Sequence, residues 1–247
     1  MDDSSDGVGP TRKEQVILAR TYRLATASLA YSHDAMRGWQ RCLKRVADFV
    51  CALFGLVLLS PVFLAIALVM KFQKNGPVIF RQERIGFKGK PFTIYKFRTL
   101  STVVEDEGPQ LIARCDTVKT TPFERYMREH HLDELPQLWN VLCGDMSLVG
   151  PRPERKYFID QIMQHTHDYI LVYQMKPGLT SEATLYNGYT DTIEKMLKRL
   201  DMDIRYLENR TLMLDLKIIL STVYAMLKSL PLAGTNGKGE KKTNSIS

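Results

Sequence analysis

Hydrophobic and polar positions divide the chain most sharply at residues 49–70, FVCALFGLVLLSPVFLAIALVM, where 22 positions pass without a charge. No polar face interrupts the run, unlike the amphipathic helix of a water-soluble domain. Its length matches the roughly 20 apolar residues that a bilayer-crossing helix needs. Ser60-Pro61 stands near its centre. Proline lacks an N–H and its ring clashes with the carbonyl four residues back. The pattern therefore predicts two helical arms of ten or eleven residues, each about 16 Å long. Ser60 can return a hydrogen bond to a freed carbonyl. Basic residues flank both ends: Arg37, Arg41, Lys44 and Arg45 before, Lys71, Lys74, Arg81 and Arg84 after. Positive charge favours the cytoplasmic side. A re-entrant hairpin that enters and leaves by one face fits both flanks, whereas a kinked span fits one.

Elsewhere the pattern alternates between short strands and helices. Residues 78–82 read as a strand, GFKGK at 86–90 as a hairpin turn, and 92–97 as a returning strand rich in aromatic and β-branched residues. An acidic loop is expected at 101–109, a short helix at 123–130, and a second from about 133 to 143 with Gly144 as its cap. SLVGPRPE at 147–154 carries enough Gly and Pro to predict a rigid loop, and 176–178 a turn. Helices are expected at 155–175, 190–207 and 212–230. The last has a stripe of Leu212, Leu216, Ile219, Val223, Met226 and Leu230, read as core-facing with the membrane interface as its alternative. Residues 14–45 read as a helix with Val16, Ile17, Leu24, Leu29 and Leu43 scattered among basic residues, either on a membrane surface or packed on its own domain. The polar stretches at 1–10 and 234–247 lack the apolar residues to fold.

Composition narrows the class. The 247 residues suit one domain with an appendage, and the net charge is +7. Beside an apolar segment, that excess points to anionic lipid or phosphate ligands. Nucleic acid is not expected, because no basic helix, finger spacing or aromatic RNA-binding motif is present. Cys42, Cys51, Cys115 and Cys143 form no C-x-x-C pair and read as free thiols in a reducing compartment. The apolar run starts too late for a cleaved signal peptide, so no secretion is expected.

The candidate chemistry centres on LDELPQ at 132–137. Adjacent acids at a helix start commonly just satisfy orphan N–H groups and the helix dipole. Phosphoryl chemistry gives Asp133 and Glu134 a further use, since a carboxylate can attack phosphorus or ligate Mg²⁺. Lys96, Arg98, Arg128 and Arg152 are cations suited to phosphate oxygens, though each alone reads equally as a surface charge. His130-His131 and His165-x-His167 lack further ligands at zinc spacing.

Five stretches in order, KRVADFVCALFGLVLLSPVFLAIALVMK, GPVIFRQERIGFKGKPFTIYKFRTL, LDELPQLWNVLCGDMSLVGPRPE, KPGLT and LDLKIILSTV, span about residues 40–230. Together they resemble the bacterial sugar transferases, the monotopic polyprenyl-phosphate phosphoglycosyltransferases. The resemblance implies an α+β, mostly helical, membrane-associated enzyme with a small antiparallel sheet. The division is then a disordered segment and surface helix (1–39), the re-entrant hairpin (40–74), a cytoplasmic catalytic domain (75–232) and a tail (233–247). Longer members carry transmembrane helices ahead of this unit, so the chain reads as the compact form. The implied reaction moves a sugar 1-phosphate from a UDP-sugar to undecaprenyl phosphate and releases UMP, initiating a cell-surface glycan at the bacterial inner membrane. Asp133 would attack phosphorus and ligate Mg²⁺. Glu134 would orient Asp133 or the acceptor. Lys96 and Arg98 match the family's KFRT motif, Arg128 its arginine ahead of the acidic pair, and Arg152 and Glu154 its PRPE loop. Ser60 and Pro61 match its membrane break. Membrane lipid and a second copy of the chain are further candidate partners. After KPGLT many members continue with Gly-Trp and Gln-Val, where this chain has Ser181-Glu182-Ala183-Thr184-Leu185, so the resemblance does not carry the sugar. Competing readings are a non-catalytic membrane adaptor of a polysaccharide assembly complex and a polyprenyl-phosphate glycosyltransferase releasing UDP.

Overall fold

The computed structural model describes residues 34–73, 76–99, 121–187, 190 and 192–229. Most of the expected N-terminal helix, the acidic loop at 101–109 and the tail lie outside them. Helix α1 (Gly38–Leu58) runs into α2 (Ser60–Gln73) with a bend of 57°. The break falls where Ser60-Pro61 places it. Pro61 sits in the first turn of α2, where its missing N–H has no partner to lose. Ser60 Oγ donates to the Val57 carbonyl (2.8 Å). The two arms are splayed and of unequal length. No single helix among the described residues is long and apolar enough to cross a membrane, while the bent pair together meets that length and composition.

Helix α1 hides a polar stripe at its start. Lys44, Asp48 and Ala52, four residues apart, all face inward. Lys44 Nζ donates to Asp215 Oδ2 (2.6 Å). Asp48 accepts from Ser147 Oγ (2.7 Å) and from the Leu148 N–H (3.1 Å). Ala52 packs with Ile94, Leu138, Val141 and Met146. On α2, Ile66 and Met70 pack on Phe97 and Met127. Both arms are therefore fastened along one side to the same body. At the bend one side packs on the body through Leu56, Leu59 and Phe63, while the other is bare: Phe54 and Val57 are each 66% exposed.

Strands β1 (Ile79–Ile85) and β2 (Pro91–Phe97) form the expected antiparallel hairpin, in register from Ile79 opposite Phe97 to Ile85 opposite Pro91. Its turn is a 3₁₀ segment, Phe87–Gly89, with Lys88 at φ 58° and Gly89 at φ 66°. Helix α3 (Pro122–Glu129) is capped by Thr121, whose side chain accepts from the Glu124 N–H while Glu124 returns a bond to the Thr121 N–H. A 3₁₀ turn (Leu132–Glu134) then precedes α4 (Gln137–Cys143), so the single helix expected from residue 133 is two segments. Gly144, at φ 91°, closes α4 as expected. Arg45 adds a second closure by donating to the carbonyls of Val141 (2.6 Å) and Leu142 (2.8 Å).

Three further expectations are corrected. The glycine- and proline-rich stretch at 147–154 starts as a strand, β3 (Ser147–Val149), paired in parallel with β4 (Gly178–Thr180), which begins inside the expected turn. Composition concealed the pairing because two glycines make it. A Cβ on Gly178 would lie 2.1 Å from the Gly150 nitrogen, and one on Gly150 would lie 2.3 Å from the Lys176 carbonyl oxygen. The helix expected over 155–175 is α5 (Lys156–Met163) and α6 (Tyr169–Val172). Thr166 and Asp168 interrupt it by bonding each other through Thr166 Oγ1. Downstream follow α7 (Glu182–Tyr186), α8 (Ile193–Asn209) and α9 (Leu212–Ser229). The α9 stripe faces the core only in part: Ile219 packs against the cluster of Val149 and Met175, while Leu216 and Val223 are each 49% exposed. The buried face also carries Asp215 and Ile218. Asp215 binds Lys44 and accepts from the Tyr206 hydroxyl, and this polar anchor sets the rotation of the helix.

Candidate active site

The 3₁₀ turn brings Asp133 and Glu134 to the edge of β2. His131 enters it in the left-handed region, at φ 54°, and its carbonyl accepts the Glu134 N–H (3.2 Å). Histidine adopts that conformation more readily than bulkier residues. Both carboxyls are buried. Glu134 Oε1 accepts from Lys96 Nζ of β2 (2.7 Å) and from Arg152 Nη2 of the loop after β3 (2.9 Å). Asn140 of α4 holds β2 in place for this contact. Its Oδ1 accepts from the Tyr95 N–H (3.1 Å) and its Nδ2 donates to the Thr93 carbonyl (2.7 Å).

The two acids are electrostatically unlike. Burial alone would raise Glu134, but Arg152 and Lys96 outweigh it and hold Glu134 well below the usual carboxylate range. Asp133 is pushed up to about 6, first by burial and then by the neighbouring Glu134 charge, with Lys96 and Arg152 pulling the other way. Lys96 is lowered by its burial, while Arg152 is raised by Glu134. Glu134 is thus hydrogen-bonded by both cations, whereas Asp133 takes a hydrogen bond from neither.

The remaining sequence candidates fall around this centre. Glu154 accepts from Arg199 Nη1 (2.8 Å) and lies 3.8 Å from Arg84 Nη1, so it braces the loop that carries Arg152. Arg98 Nε donates to the Pro77 carbonyl (3.1 Å), and its guanidinium lies 5.9 Å from the Phe80 ring centroid. Arg128 closes α3 through its carbonyl, which accepts the His131 N–H (3.2 Å). Glu134 takes no hydrogen bond from Arg98 or Arg128 among the described residues.

A family model described as "Bacterial sugar transferase" matches residues 39–229. The chain belongs to the bacterial sugar transferase family. Among curated relatives, it is 40% identical to a UDP-glucose:undecaprenyl-phosphate glucose-1-phosphate transferase of Klebsiella pneumoniae, over 76% of this chain and 41% of that protein. It is 42% identical to a protein of the same description from Caulobacter vibrioides, over 74% of this chain and 69% of the relative. It is 36% identical to a UDP-N-acetylgalactosamine-undecaprenyl-phosphate N-acetylgalactosaminephosphotransferase of Aeromonas hydrophila, over 75% and 44% of the two chains. The chain spans about two-fifths of the length of the first and last of these.

This family member also carries a buried ionic layer that its motifs do not reveal. Arg84 of β1 and Arg199 of α8 both hold Glu154. Asp203, one turn after Arg199, lines a small cavity with Tyr169, Arg152 and Glu154. The available signal was Arg199 and Asp203 standing four residues apart on the face of α8 that also buries Met196, Leu200 and Leu207. Burial first, and then Glu154, pushes Asp203 up to about 8, with Arg199 opposing. The folded value lies above the ordinary 3.8, so the unfolded chain gives up this proton first. Asp203 therefore makes stability fall as pH rises from about 3.8 to about 8. Asp203→Asn is expected to flatten that slope and to raise stability at pH 8 by a few kcal/mol, about 2–4. Denaturant titrations of both proteins at pH 5 and pH 8 check this. An unchanged slope would show that Asp203 ionises normally.

Proposed function

We propose that this protein transfers a sugar 1-phosphate from a UDP-sugar to undecaprenyl phosphate, releasing UMP, in two steps through an aspartyl phosphosugar intermediate. The observation that carries the reading is the division of labour between the two acids. Glu134 is held by Lys96 and Arg152, while Asp133, beside it, is raised by burial and by Glu134 against the pull of the same two cations. Asp133 attacks the phosphorus that bears the sugar, and the bond from that phosphorus to the bridging oxygen breaks with UMP as leaving group. A phosphate oxygen of the lipid then attacks the same phosphorus and Asp133 departs. Lys96 and Arg152 offset the charge that develops on the equatorial oxygens. The names of the relatives support the donor and acceptor classes, and they differ in the sugar.

Mg²⁺ fits this site as a cation shared with substrate. Asp133 supplies one hard carboxylate oxygen in a place where negative charge is disfavoured by burial and by Glu134. No cluster of three His, Cys, Asp or Glu side chains forms a protein cage among the described residues. Such a one-carboxylate site, completed by diphosphate oxygens and water, suits Mg²⁺. When bound, the ion would draw electrons from the diphosphate and make UMP a better leaving group.

The membrane reading rests on the bent pair. Both arms return to the catalytic body, through Ala52 on α1 and through Ile66 and Met70 on α2. A spanning helix would carry its second end away from that body. With a 57° bend, the shorter arm of 14 residues set symmetrically lowers the bend by only about 10 Å, the depth of an interfacial helix. The exposed apolar residues of α9, Met213, Leu216, Leu220, Val223 and Tyr224, offer a second lipid-facing surface. The N-terminal and catalytic sides then share the cytoplasmic face, where nucleotide sugars reach Asp133.

The test is the product nucleotide. The purified protein is incubated with undecaprenyl phosphate, Mg²⁺ and a panel of UDP-sugars. UMP is expected with at least one of them. UDP would identify a glycosyltransferase, and no nucleotide from any sugar would favour the adaptor.

A further inference from the structure

Glu134 takes both of its cations on one oxygen, Oε1, with Lys96 Nζ at 2.7 Å and Arg152 Nη2 at 2.9 Å. The two arrive from different elements, Lys96 from β2 and Arg152 from the loop that leaves β3. Like charges gathered at one oxygen repel, so their spacing needs a support outside Glu134. Arg84 connects the two elements. It stands on β1 opposite Phe92, and Lys96 stands on β2 opposite Phe80. Opposite residues of an antiparallel pair share a face, as do residues two and four apart on one strand. Arg84 and Lys96 therefore leave the same face of the hairpin, about 14 Å apart along the strands.

From that face Arg84 reaches the loop beside Arg152 and meets it at two points. Its Nη1 donates to the Pro153 carbonyl (3.1 Å) and lies 3.8 Å from Glu154 Oε2. Its Nη2 donates to Gln82 Oε1 on its own strand (2.6 Å), which fixes the direction of the guanidinium. The neighbouring Ile85 N–H donates to the Glu154 carbonyl (3.1 Å), so strand and loop are joined through the backbone as well. The contacts close a ring that runs from Lys96 to Glu134, Arg152, the Pro153-Glu154 backbone and Arg84, then across the hairpin to Lys96. Such a ring fixes the separation of its two cations more tightly than either ion pair alone. The position is also costly. Burial first pushes Arg84 down to about 10, with Glu154 opposing and the charges of Arg152 and Arg155 adding repulsion. Packing alone would favour an uncharged residue there.

We propose that Arg84 is a positioning residue: it sets where Arg152 stands relative to Lys96, so that the two cations meet the transferring phosphoryl group together. It touches no reacting atom and acts through Pro153 and Glu154. The proposal rests on the phosphoryl-transfer reading above.

Two variants test it. Arg84→Met removes every donor and keeps the side-chain stem, and Arg84→Lys keeps the charge without the planar fork. The first readout needs no turnover: folded protein is treated with phenylglyoxal, and modification of each arginine is followed by peptide mass spectrometry. In Arg84→Met, Arg152 is expected to react about fivefold faster, the effect of one lost hydrogen bond. Arg210, buried against Asp34, is expected to keep its wild-type rate. The second readout is UMP release, where kcat is expected to fall by about 10- to 100-fold with KM within about threefold, as for a misplaced aligning group. Arg84→Lys is expected to lie between wild type and Arg84→Met in both. Arg152 modification or kcat within about twofold of wild type would overturn the proposal. A rise at Arg210 as large as that at Arg152 would overturn it too, because it marks general loosening. Should Arg84→Met not fold, Arg84→Lys carries both readouts; if neither folds, Arg84 is structural and the proposal fails. A wild type that releases no UMP from any UDP-sugar ends the reading above, while the phenylglyoxal rates still decide whether Arg84 holds Arg152.

Discussion

Asp133→Asn is expected to abolish UMP release, by at least about 10³-fold, while leaving the protein folded and no less stable. The loss follows from chemistry. A neutral amide is a far poorer nucleophile toward phosphorus and a far poorer ligand for a hard cation. A 10³-fold loss corresponds to about 4 kcal/mol of transition-state stabilisation. The stability follows from linkage. Asp133 is pushed up to about 6 in the folded protein, against an ordinary 3.8. Its ionised form at pH 7 is thus a burden that the unfolded chain does not carry, and an amide removes it. The expected gain is on the order of 1–3 kcal/mol, read as a higher melting temperature at pH 7 than at pH 5 relative to wild type. Inactivity with higher stability separates a reactive group from a structural one. A helix-capping carboxylate would behave oppositely, losing stability and keeping turnover.

Gly178→Ala is expected to destabilise the protein by at least about 3 kcal/mol and to remove most activity, although Gly178 touches no candidate substrate atom. Its added Cβ would meet three backbone atoms, the Gly150 nitrogen at 2.1 Å, the Gly150 oxygen at 2.5 Å and the Thr180 oxygen at 2.6 Å. None of these can rotate away. The strand pair would have to part, and the loop leaving β3 carries Arg152, one of the two cations on Glu134. Thermal melting and UMP release measure the two effects together. Wild-type values for both would mean that β3 and β4 can separate without disturbing Arg152.

Legibility varied with the kind of force involved. Local backbone chemistry was readable. Ser60-Pro61 marked the break between α1 and α2, and GFKGK the turn between β1 and β2. Gly144 marked the end of α4. The antiparallel hairpin was readable because its strands are neighbours in sequence. The parallel pair β3–β4 was not, since its partners lie some 30 residues apart and are joined through glycines that give no strand signal. Rotation of helices was hidden wherever polar pairs set it. Lys44 and Asp48 look like flank and interruption of an apolar segment, yet they fasten it to α9 and β3. Asp215 turned Leu216 and Val223 of the α9 stripe out to the surface. At the site, Asp133, Glu134, Lys96 and Arg152 stood in recognisable motifs, and the fold gathers all four.

The central claim is that Asp133 becomes covalently bonded to the phosphosugar. The direct measurement is mass spectrometry of the intact protein and its peptides, after exposure to a turned-over UDP-sugar with Mg²⁺ and without lipid acceptor, quenched in acid. The account predicts a mass gain of one phosphosugar, located on the peptide containing Asp133, absent in Asp133→Asn, and discharged when undecaprenyl phosphate is added. Turnover without any such adduct, or an adduct on another residue, would contradict it.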